Sequence, residues 1–254
     1  MINKESFLVW ADKKNDELIG HAAQFAKISG MAMHILQIED DYKSFTIYFN
    51  NGKKTSFNKK SPSKIINDIK EEFQILFIIT AVEFTGKKLS KFSLKTLKKL
   101  KKTELTFICL KDNYNISTYK TALTIGGFLK GERDKIMWMN FLGRKFNTYI
   151  NIIIPNEKSE GIVESFNNLV YFSNKLLSNS KVNFNIFKSN DKIEVLQKKS
   201  DFSILDDDSI IVTNFHILNM NPFAMDRDIK FIESSYKQNV MVACEADDSN
   251  IPCH

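Results

Sequence analysis

An apolar run, "ILFIIT" at residues 75–80, leads into "AVEFTGKKLSKFSLKT" at residues 81–96. A strand that ends in a glycine, several lysines and a Ser/Thr-rich helix start is a common way to hold a phosphate. Glycine lets the backbone N–H groups approach the oxygens, and the helix N-terminus adds a favourable dipole. The stretch does not fit a Walker loop, because "TGKKLS" lacks the Gly-x4-Gly-Lys-Ser/Thr spacing. Whether it holds a phosphate at all is the central functional question of the sequence.

Few other residues suggest chemistry. His21, His34, His216 and His254 share no metal-ligand spacing and read as structural or exposed. The run "DDD" at 206–208 has the oxygen ligands a hard cation wants, yet reads better as a helix end and strand start in solvent. Cys109 and Cys244 sit in strand-like runs, where buried, unreactive thiols are commoner than redox sensors. No Ser-His-Asp, Cys-His or paired-carboxylate arrangement is present, so no catalytic role is expected and the chain is read as no enzyme, with no metal.

The elements that must position these residues belong to a globular chain. Its 254 residues are 43% hydrophobic, and only 4 prolines and 9 glycines leave little room for a long flexible linker. The longest apolar runs fall far short of the ~20 residues of a membrane span. "MINKESFLVW" reads as entering a strand directly, so no signal peptide is expected, and three cysteines lack any Cys-x-x-Cys pair. A cytoplasmic protein with reduced thiols is the expectation. The net charge of +6 is uneven: residues 1–118 hold 20 Lys/Arg against 13 Asp/Glu, or +7, and the remainder hold 16 against 17, or −1. Eight lysines fall between Lys87 and Lys102. They could face nucleic acid or anionic lipid, but a solvated helix face over the apolar stripe of Leu94 and Leu97 is the favoured reading.

Apolar strand-like runs alternate with helical periodicity from end to end, which argues for a parallel, doubly wound sheet. "SFLVWAD" precedes an amphipathic helix with Asn15 or Asp16 as N-cap and Gly30 beyond its end. "MAMHILQI" follows, and then "SFTIYFNNGKKTSF", whose Asn51-Gly52 marks a hairpin turn. Ser61-Pro62 opens the next helix. The second half gives nearly the same order: "TALTIGG", the helix "GERDKIMWMNFLGRKF", "YINIIIP", the long helix "GIVESFNNLVYFSNKLLS", "VNFNIF", a helix at 191–199, "SIIVTNF", a helix at 226–239 and "VMVACE". "CLKDNYNI" (109–116) and "CEADDSNI" (244–251) align at an offset of 244 − 109 = 135, while "FLVWAD" and "ALTIGG" align at 122 − 7 = 115. The difference is the size of the helix "GIVESFNNLVYFSNKLLS" plus a turn. A tandem duplication, with that helix missing or very short in the first copy, accounts for both offsets.

This order resembles the universal stress protein family. The residues that carry the resemblance are the first strand ending in Asp12, the helix ending "AKISG", the strand "MHILQI" and "LFIITAVEFTGKKLSKFSLKTLKKLKKTELTFICLKD". "FLGRKFNTYINIIIP" and "IIVTNF" with "VMVACE" carry it in the second copy. The resemblance implies two Rossmann-like, adenine nucleotide alpha hydrolase-like α/β modules, residues 1–115 and 116–254. Each would be a five-stranded parallel sheet with helices on both faces. The family's habit of pairing modules along their last strands implies an internal pseudo-dimer, and a monomer or homodimer in solution.

Nucleotide-binding members of that family carry Gly-x2-Gly-x9-Gly-Ser/Thr after the fourth strand. Here Val82, Thr85, Lys95 and Thr96 stand at those positions, and Gly86 lies one residue late. Asp12 matches the family's nucleoside-contacting aspartate. In the second copy "TNFHILNMNPFAMDRD" has no glycine, and Gly127 stands where the aspartate would be. The implication is a stress-response protein, non-catalytic, that does not bind ATP in the family's manner and acts through a protein partner or a small ligand. Two alternatives stay open. One is a cytosolic regulatory module of a membrane transporter. The other is residual ATP binding in the first module through Asp12, Gly86, Lys95 and Thr96.

Overall fold

The computed structural model describes residues 5–12, 15–39, 44–58, 61–111, 119–127, 131–192, 208–214, 232 and 238–244. The chain divides into two compact units, Met1–Ser117 and Thr118–His254.

In the first unit, β1 (Ser6–Asp12), α1 (Asp16–Ser29) and β2 (Ala32–Glu39) come first. Then follow β3 (Ser44–Tyr48), β4 (Lys54–Asn58), α2 (Pro62–Ile69) and β5 (Ile75–Ala81). A small hairpin of β6 (Phe84–Thr85) and β7 (Lys88–Leu89), α3 (Lys91–Leu100), a 3-10 turn at Lys101–Thr103 and β8 (Thr106–Leu110) complete it. The strand order is β8-β5-β1-β2-β3-β4. The first four strands are parallel, and β3 and β4 are antiparallel.

The local causes are plain. β1 is buried at every side chain from Ser6 to Ala11, as a central strand covered on both faces must be. Phe7 stacks on Phe77 of β5 at 5.3 Å, and Phe25 of α1 meets both rings edge-on. α1 starts where the Leu18 N–H donates to Asn15 Oδ1 and stops at Gly30, whose φ of 73° is left-handed.

This unit departs from the expected five parallel strands. Only residues 40–43 join β2 to β3, and a parallel crossover needs a dozen or more. The chain turns back instead, so four parallel strands are extended by an antiparallel pair. The turn at Asn51-Gly52 closes that pair, with Asn51 Oδ1 accepting from the Lys53 N–H.

The second unit runs β9 (Thr121–Ile125), α4 (Glu132–Phe146), β10 (Tyr149–Ile154), α5 (Glu160–Asn179), β11 (Phe184–Lys188), β12 (Ser209–Asn214) and β13 (Asn239–Ala243). Its five strands are all parallel, in the order β11-β10-β9-β12-β13. α4 packs against β9, β10, β12, β13 and α5. Its Ile136, Phe141 and Leu142 are buried. The 20-residue α5 lies where the first unit has only the short β2–β3 connection. The helices expected at 191–199 and 226–239 lie largely outside the described residues.

In both units the order reverses beside the first strand, between β1 and β5 and between β9 and β12. Sites in open α/β sheets form outside the carboxyl ends of the strands at such points. No helix among the described residues is long and apolar enough to cross a membrane.

Candidate functional site

In the first unit the reversal point lies at Asp12, the last residue of β1, and at the end of β5. Beyond β5, Val82 is buried and its N–H donates to Leu110 O at 2.8 Å. Next comes the β6–β7 hairpin, with Phe84 opposite Leu89 and Thr85 opposite Lys88. Gly86 occupies the first central position of its two-residue turn with φ 65°, a value glycine adopts without strain. The positive φ of Gly86 thus serves the hairpin.

The helix start that follows satisfies its polar groups internally. The Ser93 N–H donates to Ser90 Oγ at 3.1 Å, and the Ser90 hydroxyl donates to Ser93 Oγ at 3.0 Å. The Glu83 N–H donates to Ser93 Oγ at 2.8 Å, and the Ser90 N–H to Glu83 O at 2.9 Å. Two backbone donors near a phosphate's place are therefore taken by one serine pair. Lys95 is exposed on α3, while its neighbour Thr96 is only 1% exposed. Successive helix residues point about 100° apart, so these two do not present to one ligand.

The second unit places a charged cluster at its reversal point. β9 ends at Ile125, and Gly126-Gly127 carry the chain outward. Glu132 is the first residue of α4, after Gly131 with φ 90°. Its carboxylate folds back over the strand ends. The Gly127 N–H donates to Glu132 Oε2 at 2.6 Å, and Asn214 Nδ2, at the end of β12, donates to Oε1 at 3.3 Å. Lys135 Nζ lies 2.8 Å from Oε2 and donates to Ile125 O at 2.8 Å. Glu132 is 9% exposed and Lys135 3%. An ammonium, a backbone N–H and a side-chain amide thus converge on one carboxylate, which also gains from the positive end of α4.

Gly127 makes this possible. A Cβ there would collide with the Glu132 carboxylate. An aspartate at position 127 and Glu132 in its observed place exclude each other.

Sequence reasoning singled out Gly127 for lacking a carboxylate and missed the one that fills the space. The signal was present: an acid at the first helical position, a lysine three residues on, and a Gly-Gly turn before them. Nothing in the spacing announces Asn214, which is 82 residues away.

The other sequence candidates fall in structural roles. His34 is buried on β2 against Phe49 and Phe73, its Nδ1 accepts from the Asn50 N–H, and burial lowers its pKa. His21 lies 3.7 Å from Glu17, one helical turn away. Asp208 pairs with Lys120 at 2.7 Å. His216, His254 and the first two aspartates of 206–208 lie outside the described residues. Cys109 and Cys244 are buried free thiols, and burial pushes Cys109 up to about 12. Just past β8, burial pulls the Lys111 ammonium down to about 7, with Cys109 opposing the shift, and Nζ stands 5.3 Å over the Phe84 ring. Among the described residues no group of three or more His, Cys, Asp or Glu is placed to hold a metal.

No protein-family model matches the chain, and no curated protein does. Solved structures share its fold. A structure described as a putative universal stress protein from Pseudomonas aeruginosa UCBPP-PA14 is 11% identical at a TM-score of 0.57, over 94% of this chain and 93% of that one. A universal stress protein from Archaeoglobus fulgidus DSM 4304 is 14% identical at 0.53, over 96% and 88%. The cytoplasmic domain of a prokaryotic cation chloride cotransporter is 11% identical at 0.53, over 98% of both chains. The chain therefore has the α/β fold of universal stress proteins.

Proposed function

We propose, from the universal stress protein fold and the closed geometry of the second unit's reversal point, that this chain is a non-catalytic regulatory protein. It acts through a protein partner or a small ligand and does not bind ATP in the manner of nucleotide-binding universal stress proteins. One observation carries the reading. The donors that would face a ligand at β9 and β12 are already engaged by Glu132. A phosphate there would have to displace a hydrogen-bonded, buried carboxylate and face its charge. In the first unit the loss of glycine at positions 82, 85 and 95 works in the same direction, since side chains fill space the phosphates need. Calorimetry with ATP at moderate salt tests this. The expected result is no saturable isotherm below millimolar ATP. A micromolar isotherm abolished by Asp12→Ala would instead support residual nucleotide binding in the first unit.

A second reading, a cytosolic regulatory module of a membrane transporter, is favoured by the cotransporter domain, whose fold this chain shares over 98% of that domain's length. A transporter gene adjoining this one, and co-purification of the two products, would favour it over a free-standing stress-type protein. Native mass spectrometry of freshly purified protein would report any carried ligand and the oligomeric state.

A further inference from the structure

The lysines of α3 and of the turn after it form one row. Lys91, Lys95, Lys98 and Lys102 succeed one another by four, three and four residues, and all four are exposed. Ser93, Thr96, Leu97 and Leu100 are buried in the unit's own core. Lys88 of the β6–β7 hairpin is exposed too and continues the basic stretch ahead of the helix. At 1.5 Å per residue the row from Lys91 to Lys102 is about 16 Å long.

The row is costly to the isolated helix. α3 contains no acidic residue, and Lys91 stands at the positive end of its dipole. The pairs Lys91–Lys95 and Lys95–Lys98 set like charges one turn apart, which opposes helix formation. An anionic surface facing the row turns each of these costs into an attraction.

We infer that this row docks on the anionic headgroups of a lipid bilayer. Leu97 and Leu100 of α3 are committed to the core and Leu94 is half-buried, so the contact is electrostatic and does not insert. Residues 1–118 contain no arginine, so forked recognition of single phosphates is absent. No exposed aromatic ring interrupts the lysines to stack on a base, Phe92 being half-buried. Hydrated point charges in a row fit a fluid plane of anionic headgroups better than a nucleic acid groove. The inference goes beyond the ligand-site reading and holds whether or not either unit takes a nucleotide.

Vesicle sedimentation of the full chain tests it, at about 0.1 M salt, where the Debye length is about 10 Å. The protein should pellet with phosphatidylserine-containing vesicles and stay in solution with pure phosphatidylcholine vesicles. The variant Lys91→Gln/Lys95→Gln/Lys98→Gln/Lys102→Gln should lose at least about a hundredfold in partitioning, from about fivefold per lysine. A control with the same charge change at exposed sites elsewhere, Lys27→Gln/Lys53→Gln/Lys54→Gln/Lys145→Gln, should keep binding within about threefold. Circular dichroism checks that both variants fold. Three results would overturn the inference: no binding of the unaltered chain to acidic vesicles, equal losses in both variants, or tighter binding to duplex DNA or RNA than to vesicles. ATP calorimetry is unaffected by any of them, so failure here leaves the site reading standing.

Discussion

Replacing Glu132 by alanine leaves Lys135 as a buried cation whose remaining partner among the described residues is the Ile125 carbonyl, and takes the acceptor from the Gly127 N–H and the Asn214 amide. Removing one partner of a buried, hydrogen-bonded ion pair costs about 3–5 kcal/mol. At about 3 °C per kcal/mol for a unit of this size, Glu132→Ala should lower the unfolding midpoint by roughly 10–15 °C. Urea titration followed by circular dichroism gives the free energy, and a differential scan gives the midpoint. The double change Glu132→Gln/Lys135→Met removes both charges together and should cost much less, on the order of 1 kcal/mol. Two further variants probe the space above Gly127. Gly127→Asp alone should destabilise, because its Cβ runs into the Glu132 carboxylate. The same change in the Glu132→Ala background should recover part of the loss by returning a carboxylate to the three donors. Acetate should stabilise Glu132→Ala more than chloride at equal ionic strength, since it can occupy the emptied site. A loss below about 1 kcal/mol for Glu132→Ala, within the range of an exposed pair, would refute the account of a closed anion cradle.

Two further predictions concern titration and reactivity. Burial lowers the His34 pKa from 6.5, so the folded state binds this proton less readily than the unfolded state does. Stability is then full above pH 6.5 and falls as the pH drops below it, and the difference in urea midpoint between pH 7.5 and 5.5 should shrink in His34→Leu. With its thiol pushed up to about 12 and no exposure, Cys109 should resist iodoacetamide at pH 7.5 in native protein and react after unfolding, as peptide mapping would read.

The sheet was legible because its signals are local. Runs such as "SFLVW" and "ILFIIT" are short, β-branched and aromatic, and Gly30 and Asn51-Gly52 mark turns that need positive φ or tight geometry. The direction of β3 was harder to read: "SFTIYFNNGKKTSF" shows a hairpin, but only the shortness of residues 40–43 forces the pair to run antiparallel to β2. In "TGKKLS" composition and spacing pulled apart, the lysines and glycine suggesting a phosphate loop and the missing glycines arguing against one. Gly86 and the lysines match the composition of a phosphate loop, and only the pairing of Phe84 with Leu89 reveals a hairpin. The Glu132 cradle was only partly legible, for another reason. Three of its four groups lie within nine residues, yet the fourth arrives on a strand far along the chain, and only the fold brings them together.

The antiparallel pair that extends the first sheet has a consequence for the order in which the chain folds. β2, β3 and β4 join residues close in sequence: Ile35 faces Tyr48, 13 residues on, and Tyr48 faces Lys54, 6 on. In the second unit Thr124 of β9 meets Val212 of β12 across 88 residues. Closing an 88-residue loop costs about 1.7 kcal/mol more than closing a 13-residue one, from (3/2)RT ln(88/13). The meander can therefore assemble early, during synthesis, before the second unit has left the ribosome. β9 must wait for β12, and until it does Glu132 and Lys135 have their local partners but lack Asn214. The second unit's central pairing is thus the slow, late step, and a pulse of hydrogen exchange should find the amides of β3 and β4 protected well before those of β12.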